Sequence, residues 1–383
     1  MKKKVLLSIV SFLFTFFLIE VAARVWLNNF ASAEQLSYYG TFEQIEASQE
    51  LLYTRHHYLQ YILNPNYEVG ENKHNSLGYR GDEIIVPKPE GIYRIVAIGE
   101  STTYTSSVED YHLSYPNQLQ EILREAGYSF VEVVNAGVPA YSSWEGLINL
   151  ELRVLDLEPD LIIVYHGLND IHSRFVAPSS AYVGDNSGSR TPYSPPEESF
   201  WDHSTVLRIL RTNMQIRQPL GGLGFRRTFE YVETNYAEQF RNQYNQGTYP
   251  SGIFTEISAM TMLENNPPVY FERNLRSMVA IAKENNISIM FATFALSPNF
   301  EDARASSPEY LFAINQHNEV IESICESHNV PCYDFAKDMP IDEIYWDDGR
   351  HLNEKGARLK AELFAEFIES EGIIEKDLST NNN

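Results

Sequence analysis

The stretch RIVAIGEST, residues 94–102, decides the fold class of this chain. Residues 94–99 are almost continuously apolar and end in a glycine, as expected of a β-strand that is buried on both faces. Ser101 follows this strand, and ligands of open parallel sheets bind at the carboxyl ends of the strands. A serine in this position is more often a helix cap or a turn residue, so alone it does not establish a catalytic site.

The alternation of strands and helices continues along the chain and predicts βαβ units. We expect a three-layer α/β/α domain around a five-stranded, flavodoxin-like parallel sheet. The spacing of apolar residues predicts further strands at residues 130–135, 160–165, 287–294 and 331–335, and helices at residues 114–126, 143–156, 272–285, 308–328 and 354–370.

The chain divides by its patterns into an N-terminal anchor at residues 1–27, a stalk and lead-in at 28–90, and a main domain at 91–375. The alternation stops at about residues 171–268, and a structureless loop of that length is uncommon in a compact domain. This region is therefore predicted to be an insertion with helices around 203–217 and 228–243. Its many aromatic residues form either a core of its own, which we favour, or a substrate cleft.

The N-terminus carries a targeting signal, because Lys2, Lys3 and Lys4 precede an apolar run over residues 5–19. A span over residues 5–27 is long enough for a bilayer if Glu20 and Arg24 lie at the far interface. The lysines predict a cytoplasmic N-terminus and a catalytic domain on the outer side. We favour an uncleaved anchor; cleavage near Ala23 would give a secreted protein instead.

The composition argues against several classes of function. The formal net charge of -23 disfavours nucleic acid as a partner, because an acidic surface repels phosphate. Only Cys325 and Cys332 occur, which excludes a disulfide framework; two buried free thiols are favoured over a bridge between them. The sequence contains neither a recognisable metal-binding motif nor a Gly-x-Gly-x-x-Gly after the first strand, so we expect no metal and no cofactor.

Four short segments lie at predicted strand ends or helix starts: Gly99-Glu100-Ser101-Thr102, Asn135-Ala136-Gly137, Gly167-Leu168-Asn169-Asp170 and Asp348-Gly349-Arg350-His351. In a parallel sheet, strand ends share one edge, so the segments are predicted to converge. Over residues 94–367 the chain resembles the SGNH hydrolases, also called GDSL esterases, whose four sequence blocks occur in this order. Its lead-in Asn-Ser-Leu-Gly-Tyr-Arg-Gly, residues 75–81, is similar to that of a membrane-anchored bacterial branch.

The resemblance implies a Ser-His-Asp triad. Ser101 is the expected nucleophile and His351 the base that removes its proton, because a hydroxyl is a poor nucleophile without a base in hydrogen-bond reach. Asp348 is the expected carboxylate that orients the imidazole, and Asp347 is its rival.

The resemblance also implies an oxyanion hole made by the backbone N–H of Ser101, the backbone N–H of Gly137 and the side-chain amide of Asn169. Asp170 is expected to cap or orient its loop. One departure from the family is visible, since Glu100 stands where the pattern Gly-Asp-Ser has aspartate.

The function implied is a serine esterase that hydrolyses O-acyl esters through an acyl-serine intermediate, with O-acetyl carbohydrates as the first expectation. The partners would be an acylated small molecule or glycan and, through the anchor, a membrane. Two alternatives stay open: an acyltransferase that modifies surface polysaccharide with the same triad, and a non-catalytic glycan-binding or assembly protein on the same fold. A lipase with the insertion as its lid is disfavoured.

Overall fold

The computed structural model describes residues 2–41, 43–44, 52–54, 56–59, 61–184, 198–217 and 235–375. It separates into two compact units. Unit 1 comprises Met1–Arg55 and Pro192–Thr228, and unit 2 comprises His56–Thr191 and Phe229–Asn383. The boundaries proposed from the sequence, at residues 27, 90 and 375, stay predictions.

Unit 2 contains a five-stranded parallel sheet, as predicted. Its strands are β1 (Tyr93–Gly99), β2 (Val131–Gly137), β3 (Leu161–Tyr165), β4 (Ser288–Ala292) and β5 (Cys332–Tyr333). Their order in the sheet is β2-β1-β3-β4-β5, which is the flavodoxin-like order. Strand β1 pairs with both β2 and β3, and its last residue, Gly99, lies beside Gly137 and Tyr165. The ends of these three strands therefore meet at one edge.

The two faces of the sheet are covered by different helices, which gives the predicted three layers. Side chains of alternate residues in each strand point to opposite faces, so Ile95 and Ala97 enter one core while Val96 and Ile98 enter the other. Both cores are closed to water, which explains why β1 is apolar from Ile95 to Ile98.

The helices of unit 2 contribute amphipathic faces to these cores. They are α3 (Ser101–Tyr104), α4 (Tyr115–Glu125), α5 (Ser143–Asn149), α7 (Ala237–Asn245), α8 (Ala259–Asn265), α9 (Val269–Glu284), α10 (Ala303–Ser306), α11 (Pro308–His328), α12 (Phe335–Asp338) and α13 (Glu354–Ser370). Helices α4 and α13 cover the first face, and α9 and α11 cover the second. Short strands at Tyr53–Thr54, Ile62–Leu63, Glu68–Val69 and Asn72–Lys73 lie outside the main sheet.

Unit 1 contains α1 (Lys2–Asn29), α2 (Ala33–Tyr39) and α6 (Thr205–Asn213). An 18-residue window within Lys3–Asn29 of α1 has a mean hydropathy of 2.4, and the helix is long and apolar enough to cross a membrane. The predicted helix at 203–217 is confirmed as the shorter α6.

Several local features differ from the sequence-based expectations. The helix expected at 143–156 is α-helical only to Asn149 and continues as a π-turn and a 3₁₀ turn to Leu157. The helix expected at 228–243 begins at Ala237, and residues 228–234 lie outside the described part. Aromatic residues of the insertion such as Phe240 and Phe254 are buried in the core of unit 2. Cys325 is a buried free thiol, whereas the Cys332 thiol is partly exposed.

Candidate active site

Three side chains from two distant parts of the chain form a continuous hydrogen-bonded series. The Oγ atom of Ser101 lies 2.8 Å from Nε2 of His351, and Nδ1 of His351 lies 2.9 Å from Oδ2 of Asp348. The carboxylate selects the tautomer with hydrogen on Nδ1, which leaves Nε2 to accept the hydroxyl hydrogen of Ser101. The geometry is that of a nucleophile, a base and an orienting carboxylate.

The carboxylate of Asp348 is held as an anion. Burial alone would raise its pKa, but the hydrogen bond and charge of His351 and the charge of Arg350 hold the pKa well below the ordinary value. Its Oδ1 also accepts the backbone N–H groups of His351 and Arg350, at 2.8 and 3.0 Å. Asp348 is therefore ionised whenever His351 needs an acceptor.

Asp347, the rival carboxylate, is bonded elsewhere. Its Oδ2 accepts the hydroxyl of Ser107 at 2.8 Å, while its backbone N–H donates to the carbonyl of His351. Of the two adjacent aspartates, Asp348 is the one whose side chain contacts the imidazole.

A tight turn brings Asp348 back onto His351. Gly349 has a φ of +80°, and a Cβ at this position would approach the carbonyl oxygen of Ser297 to 2.6 Å. A glycine meets both demands. Asn353 then caps α13 by accepting the N–H of Gly356 at 3.1 Å, so the turn joins a fixed helix start.

Ser101 is the first residue of α3, and one residue, Glu100, separates it from the end of β1. The N–H of a first helical residue has no acceptor within its helix, so it is available to a ligand. The preceding residue, Glu100, stands where the family pattern has aspartate, and its side chain is fully buried. Its carboxylate accepts the backbone N–H groups of Gly167, Leu168 and Asn169 at 3.0 to 3.2 Å.

Asn169 lies in this same loop, next to the nucleophile segment. Its side-chain amide donates to the carbonyl of Tyr141 at 2.9 Å, which ties it to the loop that follows β2. Asp170 accepts both the N–H and the hydroxyl of Ser143, at 2.9 and 2.5 Å, and so fixes the start of α5. Burial, the largest cause, raises the pKa of Asp170 to about 6.

Gly137, the further donor expected from the sequence, is the last residue of β2. Its N–H donates to Oδ1 of Asn135 at 3.1 Å, so this hydrogen is already engaged. A Cβ on Gly137 would lie 2.3 Å from the backbone nitrogen of Tyr104, so the glycine lets α3 cross β2 closely. Three residues later, Ala140 has a left-handed φ of +63° in the loop that Asn169 contacts.

Arg80, in the lead-in segment, holds the loop at residues 104–109, which follows Ser101 in the chain. Its buried guanidinium donates to the carbonyl oxygens of Tyr104, Thr105, Val108 and Glu109, at 2.6 to 3.1 Å. It also lies over the ring of Tyr104. Sequence reasoning marked residues 75–81 as a turn-rich loop but gave no sign of this role, because the contacts are all tertiary.

Lys360 of α13 is fully buried among aromatic rings. Its Nζ lies 3.5 Å from the ring centroid of Tyr165 and 4.0 Å from that of Tyr115, and it has no hydrogen-bond partner. Burial lowers the pKa of Lys360 well below the ordinary value, against the charge of Glu100, which raises it. Burial in turn raises the pKa of Glu100 to about 8. Two buried ionisable groups, the Glu100 carboxyl and the Lys360 amine, therefore lie close to Ser101 in the chain or in the core.

Within the described ranges, no group of three or more His, Cys, Asp or Glu side chains is arranged to hold a metal ion. The chemistry that the site offers is that of its own side chains: an activated hydroxyl, a base and N–H donors for negative charge.

Residues 97–252 match the family model described as GDSL-like lipase/acylhydrolase. This range includes Ser101 and Asn169 but not Asp348 or His351. No curated protein matches the chain.

Among solved structures, a lipase/acylhydrolase from Enterococcus faecalis is 17% identical, with 73% of this chain and 97% of that chain covered and a TM-score of 0.41. The acetyl xylan esterase AlAXEase is 15% identical, covering 73% and 100%, with the same TM-score. A GDSL-like lipase from Bacteroides thetaiotaomicron is 14% identical, covering 75% and 93%, also at 0.41. By its family-model match over residues 97–252 and its four sequence blocks, the chain is similar to the GDSL-like lipase/acylhydrolase family.

Proposed function

We propose that this protein is a serine esterase that cleaves O-acyl esters through an acyl intermediate on Ser101. The observation that carries the proposal is the unbroken series from the Ser101 hydroxyl through the His351 ring to the Asp348 carboxylate. Such a series supplies what an alcohol lacks as a nucleophile, namely a base in contact with its proton.

In the first half of the reaction, Ser101 Oγ attacks the ester carbonyl carbon while its proton passes to Nε2 of His351. The carbonyl oxygen becomes an anion in a tetrahedral intermediate. When the carbonyl re-forms, the bond to the alcohol oxygen breaks, and the alcohol leaves with the proton from His351. In the second half, water takes the place of the alcohol, and its attack on the acyl-serine releases the free acid and restores the Ser101 hydroxyl. Asp348 stabilises the imidazolium in both halves.

We assign the stabilisation of the oxyanion to the N–H of Ser101 and the side-chain amide of Asn169. Gly137 stays the further donor expected from the sequence, and its N–H donates to Oδ1 of Asn135 at 3.1 Å in the structure.

The proposal places the domain at a membrane through α1, with Lys2–Lys4 on the cytoplasmic side and the hydrolase outside. An outward-facing esterase meets acylated surface glycans, so O-acetyl carbohydrates are the substrate class to test first. Transfer of the acyl group to a sugar hydroxyl uses the same triad and differs only in the acceptor.

The test uses the full-length chain in detergent with p-nitrophenyl acetate and a fluorophosphonate probe. We expect Ser101→Ala and His351→Ala to lose roughly a thousandfold or more in turnover, and Ser101→Ala to lose labelling. Ser106→Ala, which removes an exposed hydroxyl from the same loop, is the matched control and should keep both. A wild-type protein that neither labels nor exceeds the variants would overturn the esterase and favour a binding protein. Adding a glycan acceptor then separates transfer from hydrolysis by the yield of free acid.

A further inference from the structure

Helix α1 makes specific contacts near its carboxyl end that a simple membrane anchor would not need. Glu20 accepts hydrogen bonds from the backbone N–H groups of Thr205 and Val206, at 2.8 and 3.0 Å, and from the hydroxyl of Ser204 at 2.8 Å. Arg24 donates to Glu20 at 2.7 Å and to the carbonyl of His203 at 3.0 Å. Glu20 and Arg24 of α1 therefore both bind residues at the start of α6, within unit 1.

These contacts satisfy two demands at once. The first N–H groups of a helix lack partners inside the helix, and a carboxylate placed there is favoured by their dipoles. A carboxylate inside an apolar span is costly unless it is paired and hydrogen-bonded. Glu20 supplies an acceptor for the first N–H groups of α6, and these groups supply the hydrogen bonds that the Glu20 carboxylate needs.

A second set of contacts ties the same region to the chain just after α1. Arg208 donates to the carbonyl oxygens of Tyr39 and Asp202, at 2.5 and 2.8 Å. Arg217 donates to the carbonyl of Gly40 at 2.9 Å, and the Tyr39 hydroxyl donates to Asn213 at 3.1 Å. Residues 198–217 are thus fixed to residues 20–40 at both ends of α6.

Several apolar side chains of this region are exposed. Phe200 is 79% exposed and Trp201 is 55% exposed, and both precede α6 directly. Further exposed apolar side chains are Phe30, Leu210, Met214 and Ile216. Tryptophan is enriched where a membrane protein meets the headgroups of the bilayer, and Trp201 lies just before the residues that contact Glu20 and Arg24 of the candidate span.

We infer that residues 198–217 form an interfacial membrane-binding segment, and that its partner is the lipid bilayer that α1 spans. Phe200 and Trp201 enter the headgroup region while Glu20 and Arg24 hold α6 against the anchor. The helix α1 is then retained, because cleavage after Ala23 would remove Glu20 from its place. This inference goes beyond the esterase proposal and rests on α1 being a membrane span.

The depth of Trp201 is measurable in the full chain reconstituted into phosphatidylcholine vesicles. The emission of each tryptophan is obtained as the difference between the wild type and a Trp→Phe variant, with and without lipid brominated on the acyl chain near the headgroup. Trp201 is expected to lose emission to the brominated lipid as Trp26 of α1 does, and to be protected from aqueous iodide. Trp346, only 4% exposed in unit 2, is the internal control and should keep its emission.

The outcomes separate the two proposals. Quenching of Trp26 but not of Trp201, with Trp201 open to iodide, would overturn the interfacial segment alone. Absence of quenching at Trp26 would remove the membrane span as well. Hydrolysis of p-nitrophenyl acetate by Trp201→Phe is expected to match the wild type, so failure of the esterase would be seen independently.

The contact from Glu20 to α6 is tested with Glu20→Leu and Glu20→Gln. Leucine makes α1 more apolar, so insertion should persist, but the start of α6 loses its acceptor, and we expect trypsin to cleave at Arg208 and Arg211 about tenfold faster. Glutamine keeps an acceptor oxygen and should lie between leucine and the wild type. Cleavage rates equal to wild type in Glu20→Leu, or a membrane-bound protein that begins after Ala23, would contradict the inference.

Discussion

The carboxylate of Asp348 contacts two groups, the imidazole ring of His351 and the guanidinium of Arg350. Its neighbour in sequence, Asp347, is bonded to Ser107 instead. A carboxylate that fixes the tautomer of the base cannot be replaced by an amide, because the amide can present its NH₂ group and stabilise the wrong tautomer. Two adjacent aspartates therefore differ sharply in what their loss should cost.

We expect Asp348→Asn to lower kcat by roughly a hundredfold to ten-thousandfold, with little change in KM, because binding of the substrate does not use this side chain. Asp347→Asn should stay within about threefold of the wild type, since it loses one exposed hydrogen bond. Steady-state hydrolysis of p-nitrophenyl acetate by both variants decides the matter. Equal losses, or a larger loss in Asp347→Asn, would reassign the orienting carboxylate.

The loop after Ser101 depends on the lead-in segment rather than on its own sequence. Arg80 reaches four of its carbonyl oxygens, and a lysine cannot reproduce the planar set of donors that does so. Arg80→Lys should lower the free energy of unfolding by about 2–4 kcal/mol, because buried carbonyls lose their donors. It should also lower kcat, since the loop carries the nucleophile.

Chemical denaturation and kinetics of Arg80→Lys test this, with Arg153→Lys as the control. Arg153 donates to the carbonyl of Leu77 in the same lead-in but does not reach the loop after Ser101. Its substitution should leave both quantities close to wild type. If Arg80→Lys behaved like Arg153→Lys, the loop would be held by its other contacts.

Elements with a clear period were predictable from the sequence. Helices Pro308–His328 and Glu354–Ser370 match the predicted residues, because each has both a capping side chain and a continuous apolar face. Strand β5 is only Cys332–Tyr333, shorter than the predicted 331–335. The helix predicted at 143–156 loses α-geometry after Asn149, and the apolar spacing does not distinguish a π-turn from an α-turn.

Of the candidate site, only the side chains with a recognisable chemical role could be predicted from the sequence. Ser101, His351 and Asp348 lie together, and resemblance to a family brought them to attention. The surroundings were not predictable: the bonds of Glu100 to the loop at 167–169, and of Arg80 to the loop at 104–109, join residues far apart in sequence. Gly137 was assigned a donor role by analogy, whereas in the structure its missing side chain gives room to Tyr104.

The stability of the whole molecule should reflect the buried pair of Glu100 and Lys360. In the unfolded chain between pH 5 and pH 8, the glutamate is ionised and the lysine is protonated, so the two groups carry one proton. In the folded protein, burial raises the pKa of Glu100 to about 8 and lowers that of Lys360 well below its ordinary value. As the pH rises, the shift at Glu100 lowers the stability and the shift at Lys360 raises it, so the two contributions to the pH dependence oppose each other.

Lys360→Met removes this balance and keeps an apolar side chain among the rings. The folded variant retains the Glu100 proton up to about pH 8, whereas the unfolded chain has lost it. Stability should therefore fall by about 3 kcal/mol as the pH rises from 6 to 8, at about 1.4 kcal/mol per unit. Asp170, whose pKa is raised to about 6, acts mainly below this window. Denaturation midpoints across this range measure the slope; Lys337→Met, at an exposed lysine, is the control, and parallel curves for all three proteins would refute the pairing.

Ser101 and His351 are 250 residues apart in the chain yet share one hydrogen bond. During synthesis, β1, β2 and β3 are complete long before the turn at Asp348 is made, so the growing chain carries its serine without a base. A chain that stops early, or is clipped before α13, has the correct central strands and no means of activating its hydroxyl. The candidate triad is thus completed only after His351 has been synthesised, and the proposed acylation of Ser101 cannot begin before that point.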